Sequence, residues 1–564
     1  MLAVIDLPFT SEVKHSPHHF MKRSILACLL LPLLARSEVK LPSVFSDHLV
    51  LQRDTVAPIW GWAKEGEPIN VEFAGQTKTA KADATGKWLV KLDPLAASAE
   101  PREMKIGERV IKDVLVGEVW LASGQSNMGF PLASAHNADQ ALAAAGDPLL
   151  RFFTVQNGTA AEPQNDLRSK WDLSDPNTAK AFSAVAYFFA RDLRAKLGVP
   201  VAILHSSWGG TPAQAWLSMD ALHGSPPFEN YVKSYEAALI KHRDVLTHPE
   251  KMEVYRKDLA QWQKEVAPAF NNAMKAWNAG PKTSPKPSPA RPEPANPDPM
   301  DIPSPSSRPG TPSVIFNAKI APLVGYAMRG ALWYQGEANG GGGIEYRTLL
   351  PRLIGDWRKR WGQGDFPFLI VQLAAWDMDK NPAPFHQWPW LREAQAMTIK
   401  TVPTTALAVS MDVGDPKDVH PKGKEPVGQR LALAARKLAY GEPALVASGP
   451  VFHETKAEGG AMRVTFTDIG SGLTIGQAPW RANGDTPWPQ DKLVGFAIAG
   501  EDHQWHDAEA RIEGDSVIVS SPVVTKPIAV RYAWANSPRC NLYNRENLPA
   551  VPFRSDDWPM PAKK

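Results

Sequence analysis

Cysteine is almost absent from this chain: Cys28 and Cys540 are its only two in 564 residues. They could form one bridge at most, so a disulfide-held scaffold is excluded. Long apolar runs are missing as well. Without 18 consecutive apolar residues, no membrane span is expected. Neither sign of charge dominates. The 62 Lys and Arg against 59 Asp and Glu leave +3, too weak a field to hold a nucleic acid, and no such partner is expected. There is no His-Glu-x-x-His, no glycine-rich phosphate loop and no internal repeat. No metal or cofactor is therefore expected. What is present is an ordinary globular composition, 43% hydrophobic and 21% charged, which excludes bulk disorder. The length implies about two to four domains.

A targeting pattern is set back from residue 1. Met21-Lys22-Arg23 is a basic start, residues 24–34 (SILACLLLPLL) form a short apolar core, and Ala35-Arg36-Ser37 places small residues where a signal peptidase reads. A signal peptide starting at Met21 and cleaved after Ser37 is expected, with residues 1–20 as unstructured upstream sequence. The destination is then periplasmic or extracellular. The competing pattern, a lipoprotein signal at Cys28, leaves an apolar core of only about three or four residues. Removal of residues 1–37 leaves a charge of about +1 and Cys540 alone, with no intramolecular disulfide.

Residues 38–115 read as a small N-terminal β domain. Ile69, Val71 and Phe73 alternate with Asn70, Glu72 and Ala74, and Trp88, Val90 and Leu92 repeat the pattern beyond the turn residues Gly75 and Ala84-Thr85-Gly86. From 116 to 441, strand and helix patterns alternate. Strands are predicted at 119–123, 150–155, 201–205, 330–334, 366–373 and 406–411. Helices are predicted at 184–197, 346–361, 390–400 and 431–438, the first ended by Gly198 and the last by Gly441. Such alternation predicts an α/β domain whose parallel sheet is covered on both faces and binds ligands beyond the carboxyl ends of its strands. Within it, residues 225–280 form a helical insertion; Tyr255, Leu259, Trp262 and Val266 lie on one helix face, expected to pack on the core. Residues 281–312 hold 12 prolines in 32 residues and read as an extended or disordered linker. Residues 442–564 return to short β-rich runs punctuated by Gly and Pro, a C-terminal β domain.

Four stretches carry chemistry. The apolar run at 119–123 stops in Gly124-Gln125-Ser126-Asn127-Met128, the pattern of a buried strand that delivers a hydroxyl to the rim of a sheet. It is not the nucleophile elbow of α/β-hydrolases, because Met128 stands where a second glycine belongs. Ser206-Ser207-Trp208-Gly209-Gly210-Thr211 and Trp333-Tyr334-Gln335-Gly336-Glu337 also follow apolar runs, and Asp418-Val419-His420-Pro421 follows the last strand. Ser126, Gly209, Gly210 and Gln335 all fall just past strand ends, which predicts one shared site at the rim. His503-Gln504-Trp505-His506, between Asp502 and Asp507, has metal-like composition but lies far along the chain and reads as a surface turn.

With these pieces in this order, the chain resembles the sialate O-acetylesterase family, carbohydrate acetylesterases on the flavodoxin-like SGNH-hydrolase fold. The resemblance runs from Phe45-Ser46-Asp47-His48 to Ala533-Trp534-Ala535-Asn536. It implies an SGNH catalytic domain flanked by N- and C-terminal β-sandwich-like regions. It also implies Ser126 as nucleophile and His420 as base. The oxyanion donors would be the backbone N–H of Ser126, that of Gly209 or Gly210, and the Gln335 side-chain amide. The residues themselves agree, since acyl transfer needs an activated hydroxyl, a base of near-neutral pKa and a backbone that can approach the substrate.

Asn127 is placed with the substrate. Glu337 either lines the sugar pocket or is a buried structural carboxylate. The acid is displaced: the SGNH pattern Asp-x-x-His needs Asp at 417, which is Lys417. Asp418 stands two residues before His420 and Asp415 five before. Residues two apart in an extended loop point the same way, which favours Asp418. Otherwise a backbone carbonyl orients the histidine, and the pair is a Ser–His dyad.

The expected activity is removal of O-acetyl groups from a sugar, sialate first, with acetylxylan or another acetylated polysaccharide as the alternative. One rival is a glycoside hydrolase pairing Glu337 with Asp412, Asp415 or Asp418. Another is a carbohydrate-binding protein with an idle Ser126. The partner implied is an acetylated glycan; the sequence does not define an oligomeric state.

Overall fold

A computed structural model describes residues 39–246, 249–279, 287, 308–377, 387–481 and 487–560. The expected signal peptide lies outside these residues, as does the proline-rich linker apart from Pro287 and 308–312. The first strands are β1 (Val50–Gln52), β2 (Ala57–Trp62), β3 (Pro68–Phe73), β4 (Gln76–Lys81), β5 (Lys87–Leu92), β6 (Ser98–Ile106) and β7 (Arg109–Gly124). The alternation predicted around Val71 and Val90 is realised in β3 and β5, whose side chains are exposed and buried by turns.

The 16-residue β7 is the spine of the molecule. Its first half pairs antiparallel with β6 and parallel with β1. Its second half lies in the centre of a parallel sheet. The boundary read at 115/116 therefore falls inside one continuous strand. The pattern changes there because β7 changes neighbours, not because the chain turns. The Phe45–His48 motif clamps this strand: His48 Nδ1 lies 2.6 Å from Asp113 Oδ2, and Arg151 donates to the same carboxylate at 2.7 Å. Burial alone would raise the Asp113 carboxyl, but Arg151 and His48 hold it below its usual range.

The sheet is completed by β8 (Asp147–Thr154), β9 (Trp171–Ser174), β10 (Val201–Ser207), β11 (Gly330–Tyr334), β12 (Phe368–Val371) and β13 (Thr405–Ala408). Their spatial order is β13-β12-β11-β7-β10-β8-β9. All neighbours are parallel except the antiparallel edge strand β9. Val119 and Leu121 turn to one core with Trp333 and Ile370, while Trp120 and Ala122 turn to the other with Tyr334 and Val371. This is why the strands read as unbroken apolar runs. Helices Gly343–Trp361 and Trp388–Thr401 cover the first face, and Ala184–Leu197 and Glu425–Ala439 cover the second.

Gly198 ends the Ala184–Leu197 helix at φ 69°, as its position predicts. The last helix is capped by Tyr440, one residue before Gly441. The strand expected over 406–411 stops at Ala408, and Met411–Val413 form a 3-10 turn.

The insertion is helical, with Glu229–Leu246, Pro249–Glu265 and Ala267–Ala279. Val266 is exposed, so the predicted stripe does not pack along its whole length; the side chains of Tyr255 and Leu259 lie outside the described residues.

The C-terminal region holds two four-stranded antiparallel sheets. One contains Val451–Glu458, Ala461–Thr467, Ser516–Ser520 and Glu509–Glu513, and the other Trp505–Asp507, Phe496–Ala499, Ala529–Tyr532 and Phe553–Arg554. His503 stacks on Trp558 at 3.9 Å and Arg531 lies 4.1 Å over Trp505, so half of the expected surface turn is packed. The larger of the two buried cores runs through all three regions, from Val39 to Phe553. Cys540 is buried with a free thiol. Among the described residues, no helix is long and apolar enough to cross a membrane.

Candidate active site

At their carboxyl ends β7 and β11 approach so closely that a Cβ on Gly124 would sit 2.2 Å from Tyr334 O, and the φ there is +135°. Only glycine serves at that point. The chain then turns: Gln125 N–H donates to Tyr334 O at 3.0 Å, and the N–H groups of Met128 and Gly129 return to Gln125 O at 3.0 and 2.9 Å. Gln125, Asn127 and Met128 are buried by this turn, leaving Ser126 on the rim. Met128, where an elbow would have glycine, anchors the turn in the second core. The neighbours of β7 are β10 on one side and β11 on the other, reached by connections in opposite directions along the sheet. Such a switch point is where open α/β sheets bind ligands.

His420 Nε2 lies 2.7 Å from Ser126 Oγ. Both face a cavity of about 680 Å³ with Phe130, Trp208 and Asn157 in its walls. Gly209 is pressed against the serine: a Cβ there would meet Ser126 Cβ at 3.2 Å. Among the described residues, the N–H groups of Ser126 and Gly209 have no acceptor within the chain. Two donors are thus left free beside the hydroxyl, as an oxyanion site requires. Gly210 follows at φ 72°.

Burial lowers the His420 imidazole, Asp418 pulls it up and Lys424 pushes it down; the net shift is below the ordinary value. The shift favours the neutral ring, the form able to accept a proton.

Asp418 stands beside the ring without bonding to it. Its Oδ1 accepts the His420 backbone N–H at 2.9 Å but lies 3.6 Å from Nδ1, and its side chain is 54% exposed. Asp415 accepts the backbone N–H of Lys417 at 2.9 Å instead of approaching the histidine.

Two residues, Gln335 and Asn127, are not where the sequence reading put them, and a third, Glu337, falls to one of its two readings. Gln335 is fully buried, and its amide donors go to Asn339 Oδ1 at 2.8 Å and to Thr211 O and Gln125 Oε1 at 3.2 Å. Its Oε1 accepts from Tyr346 OH at 2.7 Å. With its amide committed inside the protein, it braces the turn from behind and is no free oxyanion donor. Asn127 is buried, not exposed to substrate. Its Nδ2 donates to Val419 O at 2.9 Å and to Glu337, and its Oδ1 accepts from Lys424 Nζ. Glu337 proves to be the buried carboxylate of its two readings. Burial raises its carboxyl above the usual range, against the Asn127 hydrogen bond and the Lys424 charge.

Lys424 escapes sequence reasoning, because a lysine at a helix start reads as solvated. It is buried with the Phe130 and Tyr334 rings 4.9 and 5.2 Å from its ammonium. Burial pushes it down to about 7, although Glu337 and Asp418 pull it up. Also unforeseen is the pair His205 and Ser207 in the cavity wall, with Lys319 beside it. His205 Nε2 is 2.8 Å from Ser207 Oγ. Lys319 Nζ donates to Val155 O, Asn157 Oδ1 and Ser207 O at 3.2, 2.8 and 3.0 Å. Burial, with Lys319 adding, pushes His205 down to about 3. Asp412, a carboxylate considered for glycoside hydrolysis, is buried and held by two 2.6 Å bonds from Arg430 and one of 2.9 Å from Tyr543 OH.

Residues 313–437 match the carbohydrate esterase family described as sialic acid-specific acetylesterase. A carbohydrate acetylesterase from Xanthomonas citri, of known structure, is 35% identical with a TM-score of 0.72, covering 92% of this chain and 100% of that one. Sialate O-acetylesterases of Rattus norvegicus and Homo sapiens are each 28% identical, over 91% and 93% of this chain and 93% and 95% of theirs. The protein is a carboxylic ester hydrolase. Within that class, it belongs to the sialate O-acetylesterase family.

Proposed function

We propose that this enzyme removes O-acetyl groups from sugars through an acetyl intermediate on Ser126. The observation that carries the reading is the 2.7 Å contact between His420 Nε2 and Ser126 Oγ, beside the free N–H groups of Ser126 and Gly209. Ser126 Oγ attacks the ester carbonyl carbon while His420 Nε2 takes its proton. The negative charge on the carbonyl oxygen is met by the two N–H groups. The carbon–oxygen bond to the sugar breaks, and the proton on His420 passes to the sugar oxygen. Water then repeats the attack with His420 as base, releasing acetate and restoring the serine. Asp418 is the companion of the histidine in this scheme.

The domain is of the SGNH type in this reading. Numbered along the chain, β10-β7-β11-β12-β13 stand in the order 2-1-3-4-5, the flavodoxin-like arrangement. Acetylated sialic acid is the substrate that most of the relatives suggest, and an acetylated polysaccharide such as acetylxylan is the alternative. Export through a signal peptide at Met21 belongs to the same proposal; N-terminal sequencing of the exported protein should begin at Glu38.

The test is acetate release from a panel of acetylated glycans by the wild type and Ser126→Ala. A p-nitrophenyl acetate reaction, quenched and digested, runs alongside for mass spectrometry. An acetyl group on the Ser126 peptide is expected, with a loss on the order of 10⁴–10⁶-fold in the variant. A variant that keeps its activity, or release of sugar in place of acetate, overturns the reading.

A further inference from the structure

We propose that Lys424, acting through Asn127, is a positioning residue that holds His420 against Ser126. The proposal rests on the reading of Ser126 and His420 as nucleophile and base. His420 lies in an irregular loop between the turn at Met411–Val413 and the helix that starts at Glu425. Its place must therefore come from individual contacts. Asp418 does not bond to the ring. The direct tie between the two catalytic backbones is Asn127: it follows Ser126 in sequence, and its Nδ2 donates at 2.9 Å to Val419 O, the carbonyl just before His420.

That tie needs the amide in one orientation. Val419 O and the Glu337 carboxylate, on the Nδ2 side, draw N–H donors. Lys424 Nζ, on the Oδ1 side, donates to the amide oxygen and as an ammonium has no lone pair with which to accept from a flipped amide. Acceptors on one side and a donor on the other select the rotamer in which Nδ2 faces the histidine loop. The ammonium is itself fixed, because Lys424 directly precedes the Glu425–Ala439 helix and is flanked by the Phe130 and Tyr334 rings. Without it, Asn127 Oδ1 is left unpaired in a buried site, and only the two acceptors on the Nδ2 side still hold the amide in place.

The same ammonium acts on the base. The groups facing His420 are Asp418 in its own loop, Ser126 on the nucleophile turn and Lys424 at the helix start. Asp418 favours the protonated ring and Lys424 the neutral one.

Lys424→Met keeps an unbranched apolar stem as far as the ε position and removes the ammonium. Lys424→Met combined with Glu337→Gln removes both buried charges, should the single variant fold poorly. With p-nitrophenyl acetate as substrate, kcat, KM and the pH dependence of kcat/KM are measured beside thermal melting. The expected result is a fall in kcat on the order of 10²-fold, the scale of a slightly misplaced catalytic group, with little change in KM. The acid limb of kcat/KM should also move to higher pH, since the charge that lowered His420 is gone. A kcat within about threefold of wild type, far from that 10²-fold scale, overturns the proposal. So does a lower melting temperature with the acid limb unmoved, the mark of a purely structural lysine. Ser126→Ala, measured in parallel, separates the two layers. If it is inactive, failure of the Lys424 result removes only the positioning role; if it is active, the nucleophile reading has failed and this one with it.

Discussion

Asp418→Asn removes one charge and keeps an oxygen that can still accept the His420 backbone N–H. The geometry sets the scale of its effect. The carboxylate oxygen lies 3.6 Å from Nδ1, and the side chain is 54% exposed, so its pull on an imidazolium is screened by water. Two unit charges at that separation attract by about 1 kcal/mol in a water-like medium. Loss of that attraction in the transition state slows the reaction by about five- to tenfold. A buried carboxylate bonded to the ring contributes far more, on the order of 10⁴-fold.

The pH dependence carries a sign as well. Asp418 pulls the His420 imidazole up, and the base works unprotonated, so its removal moves the acid limb of kcat/KM to lower pH. The shift should stay under about one unit. It runs opposite to the shift expected for Lys424→Met. The assay is p-nitrophenyl acetate hydrolysis from pH 4 to 9, with circular dichroism to confirm the fold. A loss of about 10³-fold or more in a folded Asp418→Asn, well on the way to the 10⁴ of a buried triad acid, would refute the reasoning. It would mean that the carboxylate closes onto Nδ1 in the working enzyme.

Gly209→Ala places a methyl 3.2 Å from Ser126 Cβ. The N–H remains in alanine, so the effect comes from pushing it and Ser126 apart: kcat should fall by up to about the 10²–10³-fold scale of one lost oxyanion donor, and an unaffected kcat would show that this close packing does not position the donor. His205 is held at about 3 in the folded chain against an ordinary 6.5, so the unfolded chain binds the extra proton between those values. Its contribution to stability is full above pH 6.5 and falls as pH drops toward 3, by up to about 1.4 kcal/mol per unit. Urea unfolding of His205→Gln between pH 4 and 7 should show a shallower slope than wild type, and an equal slope would contradict the assignment. Burial pushes the Cys540 thiol up to about 12, so iodoacetamide at pH 8 should leave its peptide unlabelled in native protein and label it in guanidinium. Labelling of the native protein at the unfolded rate would contradict the burial.

Ser126 is legible in the sequence because everything that exposes it is local. An apolar strand, one glycine at φ +135° and a buried Met128 decide the turn within a few residues. The parallel strands are legible for a related reason: burial on both faces makes each of them an apolar run, whatever its neighbours are. Motif order then locates Gly209 and His420.

Partner and depth are decided by the tertiary structure alone. Whether Gln335, Asn127 and Glu337 face a ligand or the interior depends on where the turn at Ser126 sends alternate side chains, and on acceptors contributed by distant loops. Asn127 and Lys424 are 297 residues apart, and nothing near Lys424 in sequence shows that its ammonium will be buried. The same holds for β7, whose two halves read as separate regions because a strand's own residues do not say which strands will lie beside it. Local pattern fixes which backbone a segment adopts, but a polar side chain's role is set by the hydrogen-bond partner that burial forces it to find, and that partner comes from elsewhere in the chain.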